Sequence, residues 1–205
     1  TSPPPRIIPW RDKLRLIYKN GIDFCMLLRF DESLKSMTPE QFTEKILEEL
    51  KIKSLTIGDD FKFGKDRKGD YQFLKNWGDS LGIEIHKTDT VKVDDQRVSS
   101  TRIREALISN NFEIANAMLD WHYSYSGKVV YGNQFGREIG IPTANIWIPK
   151  QKLPISGVYA VRCIVDNTKY LGIANMGIRP TVGGKRPVLE THIFDFQKDI
   201  YGSRI

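Results

Sequence analysis

The chain is poor in cysteine, with two in 205 residues, Cys25 and Cys163. They stand far apart, each in an apolar run, so the sequence holds no disulfide framework. Buried, reduced thiols are the expectation, and they fit a cytoplasmic protein. No run of about 18 apolar residues occurs, which excludes a membrane-spanning helix. The opening Thr1-Ser2-Pro3-Pro4-Pro5 lacks the charged start and apolar core of a signal peptide. Acidic residues are scarce in one part only. Residues 1–122 balance 20 Lys/Arg against 20 Asp/Glu, whereas residues 123–205 hold 11 against 5, so the whole net charge of +6 lies there. Such a basic segment could bind nucleic acid or steer a nucleoside triphosphate. A solvated basic surface is the plainer alternative.

What is present describes an ordinary globular protein, 40% hydrophobic and 27% charged, long enough for one large domain or two modest ones. Trp10, Leu14, Ile17 and Tyr18 fall at helical spacing, with Gly21 as the stop. Phe24 to Phe30 is almost continuously apolar, as a strand buried on both faces reads. Thr38-Pro39-Glu40-Gln41 combines a cap, a proline at the first helical position and a capping-box partner. Phe42, Ile46, Leu47 and Leu50 would be that helix's buried stripe, and Ser54 to Ile57 the next strand. Asp70 caps a helix bearing Phe73, Leu74, Trp77 and Leu81, closed by Gly82. Ile83 to Ile85 is a further strand. Phe112, Ala115, Met118 and Leu119 mark the last helix.

Two stretches in this half could carry chemistry. Gly58-Asp59-Asp60-Phe61-Lys62-Phe63-Gly64 follows a strand directly, where open α/β sheets bind ligands. Phe61 and Phe63 could stack on an aromatic ring and Asp60 could accept from a ring nitrogen. A surface turn with a core-facing phenylalanine would use the same residues. Arg97-Val98-Ser99-Ser100-Thr101-Arg102-Ile103-Arg104 starts a helix with hydroxyls and free amides, an anion site in kind. Arg104, one turn along, could fork onto a phosphate. An ordinary N-cap with solvated arginines is the alternative.

The rhythm changes at Tyr125. Gly127 to Tyr131, Gly157 to Val165, Lys169 to Ala174 and Val188 to Phe196 read as strands, with Asp166-Asn167 a hairpin turn. A compact, mostly antiparallel barrel follows. Its central word is Gly136-Arg137-Glu138-Ile139-Gly140-Ile141-Pro142-Thr143-Ala144-Asn145. The glycines permit tight turns and close approach to a bulky anion. In an extended segment Thr143 and Asn145 point the same way, two oxygen donors that suit magnesium sharing a nucleotide. A plain hairpin loop is the alternative.

That word is followed in order by Gly157-Val158-Tyr159-Ala160, Asn175-Met176-Gly177-Ile178-Arg179-Pro180-Thr181, Glu190-Thr191-His192 and Asp199-Ile200-Tyr201-Gly202. The series resembles the riboflavin kinase module. The half before it resembles the FMN adenylyltransferase module, and the Ser100-Thr101-x-x-Arg104 word resembles that family's phosphate motif. The resemblance, to the bacterial bifunctional riboflavin kinase/FAD synthetase family, runs over nearly the whole chain. It implies an α/β nucleotidyltransferase-like (Rossmann-like) module over 1–122 and an all-β six-stranded barrel of riboflavin kinase type over 123–205, both incomplete.

The resemblance further implies riboflavin, FMN, FAD, ATP and ADP as ligands, with Mg2+ as cofactor and ATP as co-substrate. It matches Glu190 to the catalytic base, and Gly136, Arg137, Gly140, Thr143 and Asn145 to the kinase nucleotide site. Thr143 and Asn145 are its metal ligands. Asp60, Phe61 and Phe63 match the flavin site of the adenylyltransferase, and Arg97, Ser100, Thr101 and Arg104 its ATP site. Asn175 to Thr181 would form a turn near the ligand, and His192 would support the barrel. The family's His-x-Gly-His word would fall before Thr1, because the three histidines here, His86, His122 and His192, form no such pair. The chain is therefore expected to be a fragment with weak or no adenylyl transfer. A monofunctional kinase with a vestigial α/β module is the nearest alternative. A non-catalytic barrel binding nucleic acid is the more distant one, disfavoured because aromatics do not interleave with basic residues on a strand face. Neither nucleic acid nor membrane is expected as a partner, and the sequence says nothing on oligomeric state.

Overall fold

The structure, a computed structural model, describes residues 4–132, 136, 140–149, 153–181 and 184–205. The chain divides into two compact units, one of Phe24–Arg97 and the other of Thr1–Asp23 with Val98–Ile205.

The Phe24–Arg97 unit begins with a departure from expectation. Phe24 to Phe30 forms no strand, and Phe24 and Leu27 are 92% and 68% exposed. A run of apolar residues is buried only where neighbours cover it, and this one pairs with no strand among the described residues. Helix α2 (Glu32–Ser36) is capped by the Asp31 carboxylate, which accepts from Leu34 N. Helix α3 (Pro39–Phe42) opens on the expected capping box: Gln41 N donates to Thr38 Oγ1 at 3.3 Å and Thr38 N to Gln41 Oε1 at 3.1 Å. It passes into a π-helical segment, Thr43–Glu48. The wider winding and its end at Glu48 change the stripe. Leu47 is buried, Phe42 and Ile46 pack beside it, and Leu50 falls beyond the helix and is exposed. Thr43 is buried instead, its hydroxyl donating to Glu40 O at 2.9 Å.

Strand β1 (Ser54–Ile57) pairs in parallel with β2 (Glu84–Lys87), Leu55 facing Ile85 in register. Parallel neighbours need a crossover, here helix α4 (Tyr71–Leu81). Asp70 caps it by accepting from Phe73 N at 3.0 Å, and Gly82 ends it in the left-handed conformation. Leu74 is buried, while Leu81 is exposed at the last position. Leu47, Ile57, Phe63, Leu74 and Ile85 form one core. Strands β3 (Lys92–Val93) and β4 (Gln96–Arg97) make a small hairpin.

In the other unit, helix α1 (Trp10–Lys19) buries no residue fully and stops before Gly21. Helices α5 (Ser100–Ile108) and α6 (Phe112–Leu119) bury Ile103, Leu107, Ala115 and Met118. Strands β5 (Val129–Val130), β6 (Ala144–Ile146), β7 (Gly157–Val165), β8 (Thr168–Thr181) and β9 (Gly184–Ile193) form one antiparallel sheet in the order β5-β6-β9-β8-β7. An isolated bridge joins Lys128 to Arg204 beyond β5. Among the described residues this is a five-stranded sheet, not a closed barrel of six. The β7–β8 turn falls at Asp166-Asn167, both at positive φ, as read. Asn175 to Thr181 is not a turn. It continues β8, because its backbone pairs with Gly184 to Glu190. Ile146, Ile148, Ala174, Met176 and Leu189 form the core under this sheet, with Cys163, Val165 and Ile193 in a second cluster.

Candidate active site

Directly opposed residues in an antiparallel sheet share a face, and alternate residues along a strand return to it. Asn145 on β6 stands opposite Glu190 on β9, and Glu190 stands opposite Asn175 on β8. Three polar side chains thus form a row across neighbouring strands. Leu189, Thr191 and Ile193 point to the other face and are buried, whereas Glu190 and His192 are half-buried. Val188 to Phe196 reads as a strand, and a strand's period of two sets this alternation. Thr143, two residues before Asn145, belongs to the face of the row and is also half-buried.

The approach to the row is pinned at both ends. Ile141 N donates to Gly136 O at 2.7 Å, and Gly140 takes φ +76°. Arg137 lies outside the described residues. The imidazole of His192 lies with Nδ1 2.8 Å from Pro142 O. A carbonyl can only accept, so His192 carries a proton on Nδ1. The strand that bears Glu190 therefore holds the segment that bears Thr143 and Asn145. Gly132 packs so closely that a Cβ there would collide with the Asn145 amide. Sequence reading missed Gly132, whose only signal was a glycine just after a strand.

In the Phe24–Arg97 unit a second cluster forms. Arg97 donates to both Asp59 oxygens, at 3.0 and 2.6 Å, and lies 2.9 Å from Asp60 Oδ1. The Thr90 hydroxyl donates to Asp59 Oδ2. That hydroxyl, with the Arg97 charge, holds the Asp59 carboxyl below the usual aspartate range. Asp60 and Arg97 are thus brought together, while Asp59 and Thr90 were not singled out. Their partnership spans 38 and 31 residues, beyond the reach of local spacing. Phe61 stacks on Phe63, centroids 5.6 Å apart. Phe63 is buried in the core and Phe61 is partly exposed.

The third group lies in the other unit. Ser99 caps α5, accepting from Arg102 N at 3.3 Å. Ser100 and Thr101 are exposed in its first turn. Arg104 uses its fork on carbonyls, donating to Pro5 O at 2.7 Å and Ser100 O at 3.0 Å.

Comparison with known proteins bears on all three groups. The family model for FAD synthetase matches residues 1–102, and that for riboflavin kinase matches residues 119–205. The chain is 40% identical over 204 residues to the bifunctional riboflavin kinase/FMN adenylyltransferase of Escherichia coli, covering 98% of this chain and 65% of that protein. It is 39% identical over 204 residues to the enzyme of that name from Haemophilus influenzae, covering 98% and 66%. A crystal structure described as a macrolide-efflux protein from Streptococcus pneumoniae matches with a TM-score of 0.82 at 33% identity, covering 97% of this chain and 64% of that one. The chain spans about 65% of the length of the curated relatives it matches. Among the described residues no helix is long and apolar enough to cross a membrane.

Proposed function

The chain belongs to the bifunctional riboflavin kinase/FAD synthetase family, and from that premise we propose that its 123–205 module phosphorylates riboflavin with ATP to give FMN. The 1–122 module serves the adenylylation of FMN to FAD. The observation that carries the reading is the register of β6 and β9, which sets Asn145 against Glu190. Glu190 is the general base, taking the proton of the terminal ribityl hydroxyl as it attacks the γ-phosphate. Gly136, Arg137 and Gly140 form the nucleotide loop, and Thr143 and Asn145 hold metal and phosphate oxygens.

The donors of this chain fit magnesium. A hydroxyl and an amide carbonyl are hard oxygen ligands. Among the described residues no group of three or more His, Cys, Asp or Glu gathers to hold a metal by itself. A magnesium ion held by Thr143 and Asn145 would supply positive charge against the transferring phosphoryl group.

In the adenylyltransferase module, Asp60, Phe61 and Phe63 serve the flavin, with Phe61 offering the accessible ring. Arg97, Ser100, Thr101 and Arg104 serve ATP. Arg104 must then exchange its carbonyl partners for phosphate. The barrel is proposed to close with six strands, the segment around Arg204 supplying the edge beside β5. The protein works in the cytoplasm.

The test is chromatography of flavins after incubation with riboflavin, ATP and magnesium. FMN formation supports the kinase reading, and FAD formation supports the second activity. Absence of FMN overturns it.

A further inference from the structure

A cleft of about 510 Å³ opens beside β5 and β6, lined by Arg11, Lys128, Val130, Trp147, Gly202 and Arg204. All six lie in one compact unit. Its charged lining is three cations and no carboxylate. The volume falls within the range of small-ligand sites, about 300–1,000 Å³.

The lining is costly as a structural device alone. Arg11, Lys128 and Arg204 are exposed around one cleft, and like charges gathered there repel unless screened or paired. Lys128 makes no ion pair among the described residues. Arg204 Nη1 donates to Ser126 Oγ at 2.8 Å and that hydroxyl donates to Asp12 Oδ1 at 2.5 Å, so a carboxylate reaches this arginine through a shared hydroxyl, with no direct ion pair among the described residues. The Arg11 guanidinium lies 5.6 Å from the Trp10 ring centroid, which orients it but carries no net charge. Trp147 is 56% exposed beside them, a large apolar surface left in water. An anion would relieve the repulsion and a flat ring would cover the indole.

One class of ligand supplies both. We propose that this cleft is a second nucleotide site, which takes the phosphate of a phosphorylated planar heterocycle among Arg11, Lys128 and Arg204 and stacks its ring on Trp147. Adenine and flavin nucleotides share that chemistry. Asn145, Glu190 and Asn175 do not line it. Val130 stands opposite Asn145 and Trp147 lies two residues beyond it, so the cleft adjoins the first site on the same face without sharing a residue with it.

The experiment removes the first site and looks for the second. In the 205-residue chain carrying Thr143→Ala and Asn145→Ala, AMP is titrated by calorimetry and FMN by fluorescence polarisation. Pyrophosphate and riboflavin serve as the ring-less and phosphate-less probes. Saturable binding of AMP or FMN that includes a component sensitive to Lys128 and Trp147 is expected. Lys128→Gln weakens it about tenfold, the loss of one charge-assisted contact, and Trp147→Ala weakens it about as much through lost stacking. Both residues are exposed, and circular dichroism checks that the variants fold. AMP without FMN assigns the site to adenine nucleotides, and FMN without AMP to flavin phosphates. Failure of both to saturate at millimolar concentration overturns the proposal. So does binding unmoved by both Lys128→Gln and Trp147→Ala. Pyrophosphate binding as tightly as either nucleotide, with Trp147→Ala silent, overturns it as well. A wild-type chain that makes no FMN would sink the kinase reading and leave these titrations to decide the cleft on their own.

Discussion

Asn145 and Glu190 face each other because two strands pair, whereas Asp59, Asp60 and Arg97 meet because opposite charges attract across 38 residues of chain. The first arrangement is set by backbone hydrogen bonds and strand parity, which hold whatever the pH or salt. The second is set by exposed or half-exposed side chains, and salt screens such pairs. A site placed by a ladder can be altered one side chain at a time without moving its neighbours. A site placed by charge changes with the solvent before any residue is replaced. The predictions below use that difference, starting with the largest effect.

Glu190→Gln keeps the shape of the row and removes its base. Turnover in riboflavin phosphorylation should fall about 10²–10⁴-fold, with the KM for ATP little changed. Asn145→Ala should show the opposite pattern, raising the KM for magnesium-ATP more than it lowers turnover. Steady-state kinetics by flavin chromatography separates the two. Equal losses in both parameters for both variants would mean that the ladder does not keep these residues independent.

The next contrast is between two apolar stretches of the Phe24–Arg97 unit. Leu74 is 1% exposed in the core, so Leu74→Ala should cost about 2–5 kcal/mol in urea unfolding. Leu27, in the exposed run, should tolerate Leu27→Asp within about 0.5 kcal/mol. A loss of several kcal/mol for Leu27→Asp would show that the run is covered, as its composition suggested.

That pair of residues also shows where sequence reading stops. Helix ends were legible because caps act locally: Thr38 with Gln41, Asp70 with Phe73, and Gly82 in its left-handed conformation. The β7–β8 hairpin was legible because Asp166-Asn167 fits a two-residue turn. The shared face of Glu190 and His192 followed from a period of two. Burial of Phe24 to Phe30 was not legible, because it depends on partners that the run does not contain. The extension of β8 through Asn175 to Thr181 was hidden by the glycine and proline within it, residues that read as turn signals although the segment pairs with positions only 3 to 15 residues later. The Asp59–Arg97–Thr90 cluster was hidden for a different reason, since contact at 31 and 38 residues of separation leaves no periodic trace.

The charge-placed cluster should show itself in acid. The folded state holds Asp59 below its usual value, so its contribution is present above the unfolded aspartate pKa of about 3.9. It is lost as pH falls through the lower folded value. Arg97→Gln removes one cause of the shift and should flatten this part of the acid limb. Thermal unfolding measured at a series of acidic pH values checks it. An acid limb identical in wild type and Arg97→Gln would mean that the cluster is not linked to folding.

The smallest effect lies at the alkaline end. Burial, with the nearby Asp12 charge, pushes the Tyr125 phenol up to about 12. Burial also raises Tyr123, whose hydroxyl donates to Ile7 O at 2.8 Å. Folding favours the neutral phenols, so their contribution is intact below the ordinary tyrosine pKa of about 10. It is lost as pH rises from there through the folded values. Ultraviolet titration should show a late tyrosine fraction, Tyr123 and Tyr125, that ionises only as the fold is lost. Tyr125→Phe should shrink that late fraction and make stability less sensitive to pH between about 10 and 12. If all the tyrosines titrate together while the protein is still folded, the packing of residues 123–125 is looser than that of the strand ladder beside it.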